Sequence, residues 1–256
     1  MPHELHPVRL VGAGPGPADL LTVRALRAIQ DAEALLYDAL VSDEVLALAP
    51  AACVKIQTGK RAGRTSLKQE TINRLMLRLA RRGLKVVRLK GGDPSIFGRV
   101  GEEAAFLRAH GVDSEVVPGV TAACAAAAQF GFPLTHRGEA RRLLFTTARL
   151  ESGAVQADWA AAADPEATLA VYMGRDTAPR IAAALIGAGR APRTPVAILE
   201  NVGAPAAQAV FEGTLLDLAQ AVLPSGDGPA LVVVGDVLAA RTAAAEARPA
   251  IRSRAR

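Results

Sequence analysis

Val8-Arg9-Leu10-Val11-Gly12-Ala13-Gly14-Pro15-Gly16-Pro17 is an apolar run that breaks into a glycine–proline loop. From Asp19 to Asp31, Leu20, Leu21, Ala25, Leu26 and Ile29 then recur on one side of a helix. Strand, loop, helix is the unit of a parallel sheet, and it repeats outward from here. Ala34–Tyr37 reads as the next strand, ending at Asp38. Ser66 is placed to cap a helix over Leu67–Arg82, which Gly83 stops. Lys85–Leu89 reads as a strand, followed by the loop Lys90-Gly91-Gly92-Asp93-Pro94. A helix over Gly98–His110, a strand over Ser114–Val117 and an Ala-rich helix follow. Such alternation predicts a mostly parallel sheet covered by helices.

A second series follows Pro133. Strands are expected at Leu143–Thr147, Thr168–Tyr172, Pro195–Leu199 and Ala230–Val234, with an antiparallel excursion at Gln208–Phe211. Helices are expected at Ala178–Gly187 and Thr214–Ala221, and Asp158-Trp159 reads as a helix start. The fold class is therefore α/β with two α/β domains, over residues 1–136 and 137–240. Residues 241–256 form a basic tail expected to be disordered.

Composition narrows the function. The chain has 256 residues, half of them hydrophobic and only 4% aromatic. The tail carries five arginines against one glutamate, so it holds most of the net charge of +5. The body is nearly neutral and offers no aromatic stacking platform, which argues against nucleic acid. Two distant cysteines, Cys53 and Cys124, make neither a disulfide framework nor a zinc site, and a reducing cytoplasm is expected. Residues 116–135 are uncharged but interrupted by Pro118, Gly119, Gly131 and Pro133, so a buried helix is expected and no membrane span. His3, Glu4 and His6 do not complete a metal site, and no metal is expected.

The loop Gly12-x-Gly14-x-Gly16 has the look of a dinucleotide site, and Asp38 stands where a ribose-binding acid belongs. Pro17 takes the place of the last glycine of that fingerprint, and Pro15 and Pro17 carry no amide for a pyrophosphate. A dinucleotide-dependent oxidoreductase is the rival reading. The loops at Gly91–Pro94 and Pro118–Ala122 also follow strands, and ligands of open parallel sheets bind beyond the strands' carboxyl ends. Three small-residue loops of this kind suit an uncharged or cationic ligand.

Several motifs in fixed order carry a family resemblance. They are Val11–Gly16, Tyr37-Asp38-Ala39-Leu40-Val41-Ser42, Gly59-Lys60-Arg61, Val87–Pro94, Phe97-Gly98-Arg99, Val116–Ala122, Pro133–Arg137 and Tyr172-Met173-Gly174. Together they resemble the uroporphyrinogen-III C-methyltransferases in their stand-alone form. The resemblance implies two α/β domains with a cofactor cleft between them, and a homodimer. It implies S-adenosylmethionine as methyl donor, S-adenosylhomocysteine as product, and an anionic tetrapyrrole as acceptor. Uroporphyrinogen III would be methylated twice to precorrin-2; a later precorrin methyltransferase is the alternative within the superfamily. The cofactor residues it implies are Pro15, Gly91, Gly92, Asp93, Ile96, Thr121, Ala122, Met173, Val202 and Ala230. Asp38 and Lys60 are implied as proton acceptor and donor, and Arg99 and Glu102 as substrate-binding and proton-handling groups. Arg61, Arg64, Arg137 and Arg149 are further candidates for the substrate's carboxylates. Val100 and Ser95 depart from the family's usual glycine and phenylalanine, and both touch pocket walls rather than the glycine framework.

Overall fold

The structure, a computed structural model, describes residues 5–59, 67–148, 159–226 and 228–239. The chain divides into two compact units between Ala122 and Ala123.

In the first unit the elements are β1 (Val8–Gly12), α1 (Val23–Gln30), β2 (Ala34–Tyr37), α2 (Asp43–Ala47), β3 (Val54–Gln57), α3 (Gln69–Ala80), β4 (Val86–Lys90), α4 (Val100–Ala109) and β5 (Ser114–Val117). The strands form one parallel sheet in the order β3-β2-β4-β1-β5. Successive side chains of a strand point to opposite faces. Val11, Leu35, Val87 and Leu89 accordingly pack with Ala25 and Ile29 of α1 and Val45 of α2. Val8, Leu10, Leu36 and Val86 face the other way, onto Ile72 and Met76 of α3 and Leu107 of α4. Arg88 and Lys90 share the parity of Val86, so they enter the α3–α4 layer.

Three local readings shift. The first helix does not begin at Asp19: Ala18–Leu20 is a single 3-10 turn, and α1 starts after Thr22, whose hydroxyl accepts from the Ala25 amide at 3.1 Å. The helix expected after Ser66 runs over Gln69–Ala80 behind Lys68, and Ser66 lies outside the described residues. The helix expected from Gly98 begins at Val100. Sequence periodicity also missed α2 and β3, each four or five residues long, too short for a 3.6-residue repeat to register.

The second unit contains α5 (Ala122–Phe130), β6 (Arg142–Thr147), α6 (Trp159–Ala162), β7 (Ala167–Tyr172), α7 (Ala178–Gly187), β8 (Pro195–Glu200), β9 (Gln208–Thr214), α8 (Leu215–Gln220) and β10 (Ala230–Val234). Its sheet, ordered β6-β7-β10-β8-β9, is mixed: β6 and β7 run parallel, and the other pairings are antiparallel. One face packs on Ile181 and Leu185 of α7 and Leu215 of α8. The other packs on Ala123 and Ala126 of α5. The expected boundary at 136 therefore differs from the division of the chain, because α5 buries its alanines against the second sheet. Among the described residues no helix is long and apolar enough to cross a membrane.

Candidate active site

The carboxyl ends of β1, β4 and β5 release the three glycine loops side by side. Gly14 and Gly92 form an antiparallel bridge, each amide donating to the other's carbonyl at 3.2 and 2.7 Å. Both have positive φ, +69° and +68°, where a side chain is strained. Gly12 packs so closely that a β-carbon there would lie 2.6 Å from the Gly119 nitrogen and 2.8 Å from the Gly92 oxygen. Asp93 ties the second loop to the third: one carboxylate oxygen accepts from the Gly119 amide at 2.9 Å, the other from Ser95 at 2.7 Å.

This knot decides what the loops can hold. The amides of Ala13, Gly14, Gly92 and Gly119 are all donated within the protein, and Pro15 and Pro17 have none. A pyrophosphate needs such amides, and these four are not offered to one. The loops present carbonyls, prolines and the Asp93 carboxylate, a donor-poor set suited to a cationic nucleoside. Pro15, Gly91, Gly92, Asp93, Ile96 and Thr121 lie on these loops, Ala122 opens α5, and all seven are half-buried.

Asp38 follows β2 at the same end of the sheet. Its carboxylate accepts from the Leu40 amide at 2.9 Å and from the Gly91 amide at 3.1 Å, which brings it against the second loop. Arg99 is the N-cap of α4 and forms a two-pronged pair with Glu102, at 2.8 and 2.6 Å. Both side chains are about half exposed. The Arg99 guanidinium, through that hydrogen bond, holds the Glu102 carboxyl below its ordinary value. Lys60, Arg61, Arg64 and Arg149 lie outside the described residues.

In the second unit, Met173, Val202 and Ala230 meet at one end of the sheet. Met173 follows β7, whose Tyr172 pairs with Leu231; Glu200 pairs with Ala230; and the Asn201 amide donates to the Pro229 carbonyl at 2.9 Å. Gln129 of α5 holds the turn that carries Val202, accepting from the Gly203 amide at 2.8 Å. Arg137 lies in the same unit and is exposed.

Backbone strain marks the same places. Phe97, Arg99, Met173 and Asn201 are the non-glycine residues with positive φ among those described. Each is, or adjoins, a residue singled out from the sequence. Such conformations cost on the order of 1–3 kcal/mol each and persist where surrounding structure imposes them. Among the described residues no group of His, Cys, Asp and Glu could hold a metal.

Two buried ion clusters escaped the sequence reading. Arg88, Lys90 and Glu103 lie beneath the second loop at 4%, 5% and 0% exposure. In the second unit Arg175 pairs with Glu200 at 2.9 Å beside Met173. The signal for the first was in the strand itself: Arg88 and Lys90, two apart on a strand otherwise apolar, must share one buried face.

The sequence pattern of the Tetrapyrrole (Corrin/Porphyrin) Methylases matches residues 7–219. A siroheme synthase of Xylella fastidiosa (strain M12) is 51% identical over 237 residues, covering 91% of this chain and 49% of the relative. The chain thus spans about half the length of the curated relatives it matches. Crystal structures of a uroporphyrin III C-methyl transferase from Thermus thermophilus superpose with a TM-score of 0.79 at 42% identity. The native form covers 92% of this chain and 94% of that one, and a second form is complexed with S-adenyl homocysteine. A cobalamin biosynthetic enzyme, cobalt precorrin-4 methyltransferase, superposes with a TM-score of 0.78 at 29% identity, covering 90% and 95% of the two chains. With its motifs in order and its two sheets of matching fold, the chain belongs to the tetrapyrrole methylase family.

Proposed function

We propose that the chain is an S-adenosylmethionine-dependent C-methyltransferase that converts uroporphyrinogen III, by two methyl transfers, to precorrin-2. One observation carries the reading: the amides of Ala13, Gly14, Gly91, Gly92 and Gly119 are donated within the protein, and Pro15 and Pro17 have none, which disfavours a dinucleotide and suits a sulfonium nucleoside. Family membership and the 42% identity with the Thermus enzyme, against 29% with the cobalt precorrin-4 enzyme, support this acceptor over a later precorrin.

S-adenosylmethionine supplies a methyl carbon bonded to a cationic sulfur that leaves as a neutral thioether. The protein needs no nucleophile of its own, because an electron-rich pyrrole carbon attacks. Its task is alignment, which can contribute about 7–11 kcal/mol. The family resemblance supports Pro15, Gly91–Asp93, Ile96, Thr121 and Ala122, and likewise Met173, Val202 and Ala230, as donor-binding residues. Asp38 accepts the proton that leaves the methylated ring system. Two backbone amides orient its carboxylate, and each oxygen keeps a lone pair for the proton. Each transfer adds a methyl cation and releases one proton net, so Lys60 donates a proton only in a tautomerisation in which a second proton leaves the ring. Arg99 is always protonated and therefore serves as a fork for a substrate acetate or propionate, with Glu102 holding it in place. Family membership also supports a homodimer, which sedimentation tests.

Incubation with methyl-labelled donor and uroporphyrinogen III tests the reading. Two labelled methyl groups in the tetrapyrrole are expected. Absence of label, or thermal stabilisation by NAD(P) and not by S-adenosylhomocysteine, overturns it.

A further inference from the structure

The Arg175–Glu200 pair joins two turns at one end of the second sheet. Arg175 Nε donates to Glu200 Oε1 at 2.9 Å, and the two side chains are only 11% and 7% exposed. Arg175 stands two residues after Met173, in a turn closed by the Thr177 amide donating to the Gly174 carbonyl at 3.2 Å. Glu200 directly precedes Asn201, whose turn is closed by the Ala204 amide donating to the Asn201 carbonyl at 2.9 Å. Met173 and Asn201 are both held at a φ of +55°. One ion pair thus bridges two strained turns. A third segment, the strap between α8 and β10, lies against both. The Pro224 carbonyl accepts from Arg175 Nη2 at 2.8 Å. A β-carbon on Gly226 would stand 2.3 Å from that nitrogen, and one on Gly228 would stand 2.4 Å from Asn201 Oδ1. The strap enters β10 beside the Asn201–Pro229 hydrogen bond, one residue before Ala230.

The sheet is held together without this pair. β10 is laddered to β7 as far as Tyr172 and to β8 as far as Glu200, and Ile181, Leu185 and Leu215 cover one face of it. The clasp sits at the ends of those ladders, where the strands give way to turns. A buried ion pair contributes little net stability compared with apolar side chains of like volume. What it supplies is direction. The guanidinium fork reaches Glu200 with one nitrogen and Pro224 with another, a geometry that a lysine does not reproduce. The three segments so joined are those that carry Met173, Val202 and Ala230. We propose that Arg175 is a positioning residue for the donor side of the site, its guanidinium clasping the turns of Met173 and Val202 to the strap that leads into Ala230. A clasp of this kind sets the turns before the donor arrives, so that binding does not have to order them. The proposal rests on the methyltransferase reading, and Arg175 itself touches no reacting atom in it.

The test is the double variant Arg175→Met with Glu200→Met, which removes both charges together and orphans neither. Three quantities are compared with wild type: melting temperature, affinity for S-adenosylhomocysteine by calorimetry, and the KM for uroporphyrinogen III at saturating S-adenosylmethionine. The melting temperature is expected to shift by no more than about 4 °C. Affinity for S-adenosylhomocysteine is expected to fall about tenfold, the scale of ordering a loosened loop on binding. The KM for uroporphyrinogen III should stay within about threefold, a split that a merely structural pair would not produce. Gly226→Ala is the second variant: it keeps both charges but drives the strap off the guanidinium, and it should weaken S-adenosylhomocysteine by a similar factor. It decides the matter if the double variant does not fold. Unchanged donor affinity in either folded variant overturns the proposal, as does an equal loss on the donor and acceptor sides. If neither variant folds, the clasp is structural and the proposal is overturned. If wild type itself binds no S-adenosylhomocysteine, the methyltransferase reading fails and takes this proposal with it; tight binding by wild type and variants alike sinks the proposal alone.

Discussion

Gly12→Ala probes the knot of glycine loops most directly. A β-carbon at this position meets the Gly119 nitrogen at 2.6 Å, the Gly119 α-carbon at 2.7 Å and the Gly92 oxygen at 2.8 Å. Ordinary contact begins near 3.4 Å, so backbone must retreat by about 0.6–0.8 Å. Neither neighbour is free to do so: Gly119 is tied to Asp93, and Gly92 is bonded twice to Gly14. Overpacking costs about 1–3 kcal/mol, and rigid backbone on two sides places this case near the top. Alanine's lower unfolded-state entropy offsets about 0.4–1 kcal/mol, leaving a net loss of about 2–2.5 kcal/mol. At about 2–4 °C per kcal/mol for a chain of this size, the melting temperature should drop by roughly 4–10 °C. Loops displaced this far should also weaken S-adenosylhomocysteine binding about tenfold or more, equivalent to about 1.4 kcal/mol. Thermal denaturation followed by circular dichroism and titration calorimetry read both quantities. A Gly12→Ala protein that melts with wild type and binds equally well would refute the close approach of the three loops.

Gly101→Ala provides the contrast, since a β-carbon there meets nothing within 4 Å on an exposed helical position; it should stabilise by about 0.5–1 kcal/mol in the same melt. Glu103→Gln leaves Arg88 and Lys90 buried without a counter-charge and should cost about 3–5 kcal/mol by denaturant titration. Arg99→Ala should lower tetrapyrrole turnover while leaving S-adenosylhomocysteine affinity nearly intact, read by product absorbance and calorimetry; equal losses would remove Arg99 from the acceptor side. Hydrogen bonds from Lys85 and then Arg9 hold the Asp31 carboxyl below its ordinary 3.8. A lowered acid favours the folded state at pH above the unfolded value, and that contribution is lost as pH falls through the folded value. Melting temperature measured from pH 6 downward should therefore decline less steeply below about pH 4 in Lys85→Met than in wild type.

Alternating apolar runs and breakers were enough to read the class of the fold, because period and punctuation are local properties. β1, β2, β4 and β5 lie within a residue or so of their expected places, and Asp38, Gly91–Asp93 and Thr121–Ala122 fall at strand ends. Chain order also showed which loops leave the same edge of a parallel sheet. Three things depended on contacts between residues far apart in sequence. The strand directions of the second sheet follow from pairings such as β10 between β7 and β8, which no run of residues encodes. The assignment of α5 to the second unit follows from Ala123 and Ala126 finding their partners beyond residue 169. The charge balance around Glu103 exists only once β4 and α4 are packed face to face. Hydrophobic periodicity is written along the chain, whereas the spending of an amide or the pairing of a buried charge is settled across it. For that reason the motifs named the loops, and only their packing showed that the amides of Ala13, Gly14, Gly91, Gly92 and Gly119 are donated within the protein.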